Sequence, residues 1–459
     1  MGRPHALVIP FPAQGHVRPL MELSHRLADR GFTVTFVNTE HVHERVTAAL
    51  PENFSSDYGG RIRFATIPDG MDPGEDRCDF LKFTQVIHRA TVRPLEELIL
   101  KINAEEEEGI ACVIADGMAG WLLPVAKKLG IRTAAFWPAS AWFLAIVLEI
   151  PSLIEKGVID QRGFPKDNEP ITISDKIPAI NPAHLCWLCL HDPQVQENSF
   201  KLKCITSHVL RDVDHIICNS FLELEAPVFE HAGNALPIGP LVSAAGRIGH
   251  QPFSFWQEDP SCLSWLDEQP SRSVVYVAFG SYTLMNRRQI HELARGLELS
   301  GLPFLWVSRP DLMGGSAPAY PDGFMDVVAG RGRLVGWSPQ QEVLSHPSIA
   351  CFVSHCGWNS TMEGLWNGVP MLCWPYFADQ YQNQTYVVEV WRVGLELRRD
   401  REGIVETEEI VGKLKELLKD EGINKRVGDL KDKARKCVEE GGNSFKNFDD
   451  FICAIKEYE

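Results

Sequence analysis

A chain of 459 residues is long enough for two ordinary domains, and its 44% hydrophobic and 23% charged residues are typical of a soluble globular protein. The 45 basic and 61 acidic side chains give a formal charge of -16, which argues against nucleic acid and anionic membranes as partners. The 12 cysteines are scattered, so we expect free thiols in a reducing, cytoplasmic compartment rather than a disulfide framework.

The chain offers no convincing membrane segment or targeting signal. Residues 133–148 are largely apolar, but Pro138 interrupts the run and Glu149 closes it, so a buried strand followed by an apolar helix is the better interpretation. At the N-terminus, Pro10 and Pro12 cut short the apolar run that a signal peptide would need. We therefore expect no stable membrane insertion.

The first half of the chain alternates between apolar runs and amphipathic segments. A loop at residues 10–16 is expected before a helix that starts near Pro19 and stops at Gly31, and a long amphipathic segment covers about 80–102. A helix is also expected at 121–129, and the Pro-rich residues 151 to about 199 are expected to be irregular and to form a pocket wall or lid. The predicted strands are 5–9, 32–37, 61–67, 111–115, 132–137 and 215–218. This order indicates βαβ units and a parallel sheet.

The second half repeats the alternation after a Gly- and Pro-containing linker near residues 237–249. Its strands are predicted at 274–279, 304–307, 334–335, 349–355 and 371–374. Its helices are predicted at 287–299, 407–419, 424–437 and 445–458. The chain therefore contains two sheet-based halves and no short repeat.

The strand at 349–355 ends in a turn at Cys356 and Gly357, after which Ser360 and Glu363 have the spacing of a capping box that opens a helix. A helix N-terminus that follows a glycine turn is a phosphate site, to which His355 can add a hydrogen bond or a positive charge. Other side chains in this stretch suit the rest of a nucleotide sugar. Trp337 offers a face to a base, Gln340 and Glu363 suit a ribose, and Asp379 and Gln380 suit sugar hydroxyls.

The 44 positions from Trp337 to Gln380 resemble the signature of the plant secondary-product UDP-glycosyltransferases, with its Trp, Gln, His, Gly-Trp-Asn-Ser, Glu and Asp-Gln in place. The resemblance extends over nearly the whole chain, through the loop at 10–16, Asn219-Ser220-Phe221 and Gly280-Ser281. It implies an α/β fold of the GT-B type, with two Rossmann-like domains whose parallel sheets face a central cleft. The implied division is an acceptor-binding domain at 1–240, a linker at 241–254, a UDP-sugar-binding domain at 255–442, and a final helix at about 443–459 that packs back on the first domain.

The resemblance also implies a reaction, the inverting transfer of glucose from UDP-glucose to a small lipophilic acceptor. His16 follows the first strand and Asp116 follows the strand at 111–115, so both reach the edge of the sheet where ligands bind. His16 is expected to be the general base and Asp116 to orient its imidazole. Without the resemblance, His16 is equally well read as a polar residue at a helix start and Asp116 as a turn residue.

The donor residues implied by the resemblance lie in the second half of the chain, and Gln380 is the residue usually met in glucose-preferring members. Taken singly, Trp337 and Trp358 are also compatible with core positions, and Glu363 with a capping role alone. The implied donor set is Ser281, Trp337, Ser338, Gln340, His355, Gly357, Trp358, Asn359, Ser360, Glu363, Asp379 and Gln380.

The acceptor is the least determined part of the prediction. The candidate lining residues, which suit a flavonoid, phenolic or terpenoid alcohol but also suit an ordinary core, are Trp137, Ser140, Trp142, Phe200 and Phe377. We expect a monomer that needs no metal and no cofactor, since a helix dipole, His355 and hydroxyl groups can carry the charge of the diphosphate. A nucleotide-sugar epimerase and a non-catalytic ligand-binding relative remain as alternatives, while a dehydrogenase is disfavoured because neither half has the G-x-G-x-x-G pattern.

Overall fold

A computed structural model describes residues 3–49, 60–77, 79–106, 108–190, 192–242, 254–309 and 320–456. The chain forms two compact units: the first comprises Met1–Phe255 with Lys436–Glu459, and the second comprises Trp256–Arg435. The sequence analysis placed the return to the first domain at about residue 443, and the chain changes unit between Arg435 and Lys436. Most of the predicted linker, residues 243–253, lies outside the described residues.

The first unit is built around a sheet of seven parallel strands. These are β1 (His5–Ile9), β2 (Thr33–Thr39), β3 (Ile62–Ile67), β4 (Ile110–Asp116), β5 (Arg132–Trp137), β6 (His215–Cys218) and β7 (Ala235–Pro237). They lie in the order β3-β2-β1-β4-β5-β6-β7. Every residue of β1, β2 and β4 is buried, as expected for parallel strands covered by helices on both faces.

The helices of the first unit connect and cover these strands. They are α1 (Gln14–Asp29), α2 (Glu40–Ala49), α3 (Phe80–Ala90), α4 (Val92–Glu105), α5 (Leu123–Lys128), α6 (Ala141–Glu155), α7 (Pro193–Leu210) and α8 (Leu222–Ala232). Short 3₁₀ helices occupy Gly117–Leu122 and Pro182–His184.

The second unit has a six-stranded parallel sheet. Its strands are β8 (Val274–Ala278), β9 (Phe304–Val307), β10 (Gly332–Val335), β11 (Ile349–Ser354), β12 (Met371–Cys373) and β13 (Gly394–Glu396), in the order β10-β9-β8-β11-β12-β13. Its helices are α9 (Ser261–Asp267), α10 (Arg287–Ser300), α11 (Phe324–Val327), α12 (Gln340–Ser345), α13 (Trp358–Asn367), α14 (Gln380–Thr385), α15 (Thr407–Lys419) and α16 (Glu421–Val438), whose last three residues belong to the first unit. The last helix, α17 (Asn443–Lys456), belongs to the first unit, where Asn447 donates a hydrogen bond to the carbonyl of Pro237 over 2.9 Å.

Both sheets have the strand order of a doubly wound α/β fold, in which the chain reverses direction across the sheet between two neighbouring strands. This switch point lies between β1 and β4 in the first unit and between β8 and β11 in the second. In open parallel sheets, ligands bind beyond the carboxyl ends of the strands at the switch point. Each unit therefore has one edge where a ligand site is expected.

The predicted strands are all present, but several helix boundaries differ from the sequence analysis. Helix α1 begins at Gln14 instead of near Pro19. The residue before it, Ala13, has no side chain that can cap a helix, so the sequence carries no signal for this start. The segment at 80–102 is two helices that meet at Thr91. Helix α6 continues through Pro151, and α7 begins at Pro193, so the irregular stretch is shorter than predicted. In the described part of the chain, no helix is long and apolar enough to cross a membrane.

Candidate active site

The edge of the first sheet brings together the two side chains that the sequence predicts to act as base and orienter. Because Ile9 pairs with Ala115 in register, β1 and β4 end side by side. Asp116 is the last residue of β4, and His16 lies in the first turn of α1. Their side chains are joined by a hydrogen bond of 2.8 Å between His16 Nδ1 and Asp116 Oδ2.

The Asp116 carboxylate is fully buried and fixes the orientation of the imidazole. Its second oxygen, Oδ1, accepts a hydrogen bond from the backbone N–H of Met118 over 2.8 Å. A carboxylate that already accepts from Met118 also accepts from His16, so Nδ1 carries the proton and Nε2 keeps a lone pair. The imidazole is 27% exposed. A half-exposed nitrogen base held by a buried carboxylate is suited to removing a proton from a bound hydroxyl.

Aromatic rings surround this pair, and the sequence analysis did not identify them. The ring of Phe11 lies 5.2 Å from His16, 6.3 Å from Phe83 and 6.3 Å from Trp121, measured between centroids. His88 lies 5.5 Å from Trp121. Phe83 and His88 are on α3, which comes close to Phe11 and Trp121 only through the tertiary fold. The site beside His16 is therefore predominantly apolar and aromatic.

The predicted acceptor residues of the first unit belong to its packed interior. Trp137, Trp142 and Phe200 are each only 1% exposed, and Trp137 Nε1 donates to the carbonyl of Ser140 over 2.9 Å. Ser140 Oγ in turn caps α6 by accepting from Phe143 N over 3.2 Å. This burial fits the alternative that the sequence left open, in which these side chains are core. Phe377 lies in the second unit and is half-buried.

At the edge of the second sheet, two glycine-containing loops enclose His355. Ser354 pairs with Ala278, so the loops that follow β8 and β11 start side by side. A Cβ atom added to Gly280 would lie 2.5 Å from His355 Nε2, and one added to Gly357 would lie 2.4 Å from it. Only glycine leaves room for the imidazole between the two loops.

Burial lowers the pKa of His355 to about 4, against the opposing effect of a hydrogen bond to the backbone of Ala278. His355 is therefore neutral near pH 7. Of the two roles that the sequence analysis allowed it, the structure favours a hydrogen-bonding partner over a positive charge.

The predicted capping box at Ser360 and Glu363 is wrong. Helix α13 begins at Trp358 with Gly357 as its N-cap, and no side chain caps it. Ser360 and Glu363 are therefore inside the helix, where they bind Gln340: its Nε2 donates to Ser360 Oγ over 2.9 Å and to Glu363 Oε2 over 2.6 Å. The absence of a side-chain cap suits the anion site that the sequence predicted at this helix start.

The side chains predicted to bind a ribose form a polar network that is largely buried. Glu363 is 3% exposed, and its Oε1 accepts from Gln341 Nε2 over 3.1 Å. Gln340 Oε1 accepts from Tyr276 Oη over 3.1 Å, and Tyr276 Oη lies 2.9 Å from Ser338 Oγ. Because the Nε2 protons of Gln340 are engaged and its Oε1 already accepts from Tyr276, the carboxylate of Glu363 is the better acceptor for hydroxyls of a bound ribose.

The predicted base-stacking residue, Trp337, is half-buried and belongs to an aromatic cluster. Its ring lies 4.7 Å from that of Trp256, and the guanidinium of Arg309 lies 4.0 Å from the Trp256 ring and 6.0 Å from the Trp337 ring. Arg309 also donates a hydrogen bond to the carbonyl of Ser281. The sequence analysis missed Trp256 and Arg309, which are far from Trp337 in sequence.

The remaining donor residues surround the start of α14. Gln380 Oε1 accepts from the backbone N–H groups of Tyr376 over 2.8 Å and Phe377 over 3.1 Å, so its Nε2 is the group left for a sugar. Asn383, which the sequence analysis missed, is 1% exposed. Its Nδ2 donates to Asp379 Oδ2 and to the carbonyl of Cys356, each over 2.9 Å. Asn383 therefore joins the expected sugar site to the phosphate loop.

Two further predicted donor residues, Trp358 and Asn359, lie in the first turn of α13. Trp358 is 4% exposed, and its ring lies 6.4 Å from that of Trp391, which fits the core position that the sequence left open. Asn359 is half-buried in the first turn of α13. Among the residues that the structure describes, no group of three or more His, Cys, Asp or Glu side chains is arranged to hold a metal ion.

Comparison with known protein families gives two matches. Residues 254–432 match the family described as UDP-glucoronosyl and UDP-glucosyl transferase, and residues 5–68 match the one described as Glycosyltransferase, N-terminal domain. The chain is 41% identical to UDP-glycosyltransferase 83A1 of Arabidopsis thaliana, and the alignment covers 99% of this chain and 97% of that protein.

Solved structures resemble the whole chain. A UDP-glucosyltransferase from Polygonum tinctorium capable of glucosylating indoxyl, in complex with 3,4-dichloroaniline, superposes with a TM-score of 0.85 at 28% identity over 99% of each chain. Phytolacca americana UGT2, complexed with UDP-2fluoro-glucose and pterostilbene, gives a TM-score of 0.82 at 26% identity over 98% of this chain and 99% of that one.

Proposed function

We propose, on the premise that this chain belongs to the plant UDP-glycosyltransferase family, that it transfers glucose from UDP-glucose to a hydroxyl of a small lipophilic acceptor with inversion at the anomeric carbon. The protein is a glycosyltransferase with the GT-B fold of two Rossmann-like domains.

The observation that carries the proposal is the hydrogen bond of 2.8 Å between His16 and the buried Asp116 at the ligand edge of the first sheet. His16 Nε2 accepts the proton of the acceptor hydroxyl, and the oxygen attacks the anomeric carbon while the bond from that carbon to the diphosphate breaks. Asp116 stabilises the imidazolium that forms. Attack from the side opposite to the leaving UDP converts an α-linked donor into a β-glucoside.

The leaving diphosphate is proposed to bind where α13 begins. The N-terminal N–H groups of this helix and its dipole favour an anion, and neutral His355 contributes hydrogen bonding rather than charge. Since these groups are proposed to stabilise the charge, we propose that transfer needs no metal and no cofactor. Activity should then be unchanged after treatment with EDTA, and a loss restored by a divalent cation would contradict this.

Glucose as the donor sugar is supported by Gln380 and by a similar protein. Gln380 offers its Nε2 to a sugar hydroxyl, because its Oε1 is held by two backbone N–H groups. Phytolacca americana UGT2 is complexed with UDP-2fluoro-glucose. We expect UDP-glucose to be preferred over UDP-galactose.

The acceptor class is supported by the rings next to His16. Phe11 forms edge contacts with both Phe83 and Trp121 close to the base, which suits an apolar alcohol. We therefore propose a flavonoid, phenolic or terpenoid acceptor.

The 11 described cysteines are free thiols, which supports a reducing, cytoplasmic location. We also propose that the protein acts as a monomer.

The decisive experiment measures glucoside formation from UDP-glucose with a panel of phenolic, flavonoid and terpenoid alcohols, with UDP-galactose as a competing donor. His16→Ala should lower kcat by about 10²- to 10⁴-fold, the usual contribution of a general base. The matched control is His231→Ala, because His231 also pairs with a carboxylate of the first unit, Glu149, over 3.1 Å, but outside the proposed site. The control should keep its activity.

Three results would contradict the proposal. Transfer that persists in His16→Ala at near the original rate would reject His16 as the base. Binding of UDP-glucose without turnover on any acceptor would favour a non-catalytic binding protein. An isomerised nucleotide sugar formed without acceptor would favour an epimerase.

A further inference from the structure

Three side chains from distant parts of the second unit meet at the proposed base-binding end of the donor site. They are Trp256, Arg309 and Trp337, which we call the indole–guanidinium cluster. Trp256 is the first residue of the unit, Arg309 follows β9 by two residues, and Trp337 follows β10 by two. The three side chains do more than pack together, because Arg309 also forms a hydrogen bond with the loop after β8.

The cluster holds Trp337 from the side chain and from the backbone. The Trp256 ring lies 4.7 Å from the Trp337 ring, with 34° between their planes. The same segment also contacts the backbone of Trp337, because the N–H of Asp259 donates a hydrogen bond to the carbonyl of Trp337 over 2.9 Å. The segment 256–259 therefore fixes both the indole and the main chain of Trp337.

Arg309 connects this arrangement to the phosphate end of the site. Its guanidinium is within cation–π distance of both indoles, at 4.0 Å from Trp256 and 6.0 Å from Trp337. It also donates a hydrogen bond to the carbonyl of Ser281, in the loop that passes His355 at Gly280. Arg309 is 8% exposed, so its position is set by these contacts more than by solvent. A planar guanidinium can stack and donate at once, which an ammonium cannot.

We propose that Trp256 and Arg309 are positioning residues of the donor site, which hold the base-stacking ring of Trp337 and the loop at Ser281 in one fixed arrangement. The inference rests on the proposed function, since it takes the ligand to be a nucleoside diphosphate. Neither residue needs to touch the ligand. They act by fixing the distance between the ring that stacks the base and the loop that meets the diphosphate. The ring and the loop are then already ordered before the ligand binds.

The test measures the dissociation constants of UDP and UMP by calorimetry for the wild-type protein and for Trp256→Ala, Trp256→Phe and Arg309→Lys. Trp256→Ala should weaken UDP binding by about tenfold, because an aromatic pair and a cation–π contact are both lost. Trp256→Phe keeps a stacking ring and should recover most of the loss. Arg309→Lys should weaken UDP about fivefold and UMP by less, since UMP lacks the second phosphate.

A matched pair of controls separates positioning from general stability. Arg435 and Trp366 form another cation–π contact of the second unit, 5.5 Å from guanidinium to ring centroid, with Trp366 in the last turn of α13, at the end opposite to the proposed anion site. Arg435→Lys and Trp366→Phe should leave both dissociation constants within about twofold. The double variant Trp256→Ala/Arg309→Lys should lose no more affinity than Trp256→Ala alone, because both residues act on one arrangement.

The outcomes are distinct. If all three single variants of the cluster fold and bind UDP as the wild-type protein does, the positioning role is wrong while the proposed function stands. If the controls weaken UDP binding as much as the cluster variants, the effect is general and the proposal fails. If the wild-type protein binds no UDP, the proposed function and this inference fail together.

Discussion

Single residues carry the proposed chemistry, and Asp116 is the one whose replacement is most informative. Its two carboxylate oxygens accept from His16 Nδ1 and from Met118 N. In Asp116→Asn only one oxygen remains, so either the imidazole or the backbone N–H faces an N–H donor. We expect kcat to fall by about 10²-fold or more while UDP affinity is unchanged, because the expected nucleotide residues belong to the second unit.

Steady-state kinetics together with UDP calorimetry would check this expectation. Asp160→Asn is the matched control, since Asp160 Oδ1 also accepts from two backbone N–H groups, those of Arg162 and Phe164, in a surface turn. It should keep full activity. An Asp116→Asn enzyme with unaltered kcat would show that Asp116 does not orient the base.

Asn383 provides a second test at this scale, because one amide nitrogen binds both Asp379 and the Cys356 carbonyl. Asn383→Leu preserves the approximate volume but removes both hydrogen bonds, so the KM for UDP-glucose should rise about tenfold. UDP affinity should change less, since Asp379 is the expected sugar contact. Gln384→Leu, on the same helix, is the control. Equal losses for UDP and UDP-glucose would assign Asn383 to the phosphate loop instead.

Some of these residues could be predicted from the sequence, and others could not. His16 and Asp116 each follow an apolar strand, and the edge at which parallel strands end is where ligands bind, so their meeting could be anticipated. Trp256, Arg309 and Asn383 have no such local signal. Their roles arise from contacts between loops that the fold brings together. The aromatic acceptor candidates stay a prediction for the opposite reason, because a large apolar side chain is as typical of a core as of a pocket.

At the scale of elements, the two loops that enclose His355 depend on glycine. Gly357 has an ordinary φ of -60°, so Gly357→Ala tests space alone, with its Cβ expected 2.4 Å from His355 Nε2. We expect the imidazole to be displaced, a loss of about 1 to 3 kcal/mol in the free energy of unfolding, and UDP binding weakened about tenfold.

Denaturant unfolding and UDP calorimetry would measure both effects. Gly412→Ala is the control, because Gly412 is inside α15 and a Cβ there would meet nothing within 4 Å. Alanine is the better helix former, so this variant should be more stable by about 0.5 to 1 kcal/mol and bind UDP normally. Normal UDP binding by Gly357→Ala would mean that His355 is not needed in its present position.

Element types were predicted better than element starts, and the reason is physical. Buried parallel strands such as β8 and β11 read as continuous apolar runs, and α10 carries both of its signals, a capping Asn286 and a left-handed Gly301. Helices α1 and α13 begin instead after Ala13 and Gly357, whose side chains cannot cap. The second start also explains the mistaken capping box, since a three-residue shift moved Ser360 into the helix.

At the scale of the whole molecule, histidines that are buried or partly buried link stability to pH. Burial lowers the pKa of several histidines in both units, so the unfolded chain binds protons that the folded chain does not. These histidines are His5, His41, His88, His184, His215 and His355. A lowered pKa contributes stability that is fully present above the unfolded value of about 6.5 and is lost as the pH falls towards the folded value.

We therefore expect the free energy of unfolding to fall as the pH is lowered from 7.5 to 5, before most carboxylates titrate. The pKa of His355 is lowered to about 4, so its contribution to the free energy of unfolding should be lost progressively between about pH 6.5 and 4, by about 3 kcal/mol in all. Urea midpoints across this range measure the effect. His355→Asn removes the titrating ring, so its midpoint should vary less with pH than that of the wild-type protein. A wild-type midpoint that stays constant from pH 7.5 to 5 would contradict the prediction, because histidines with a lowered pKa must make the folded state less able to bind protons than the unfolded chain.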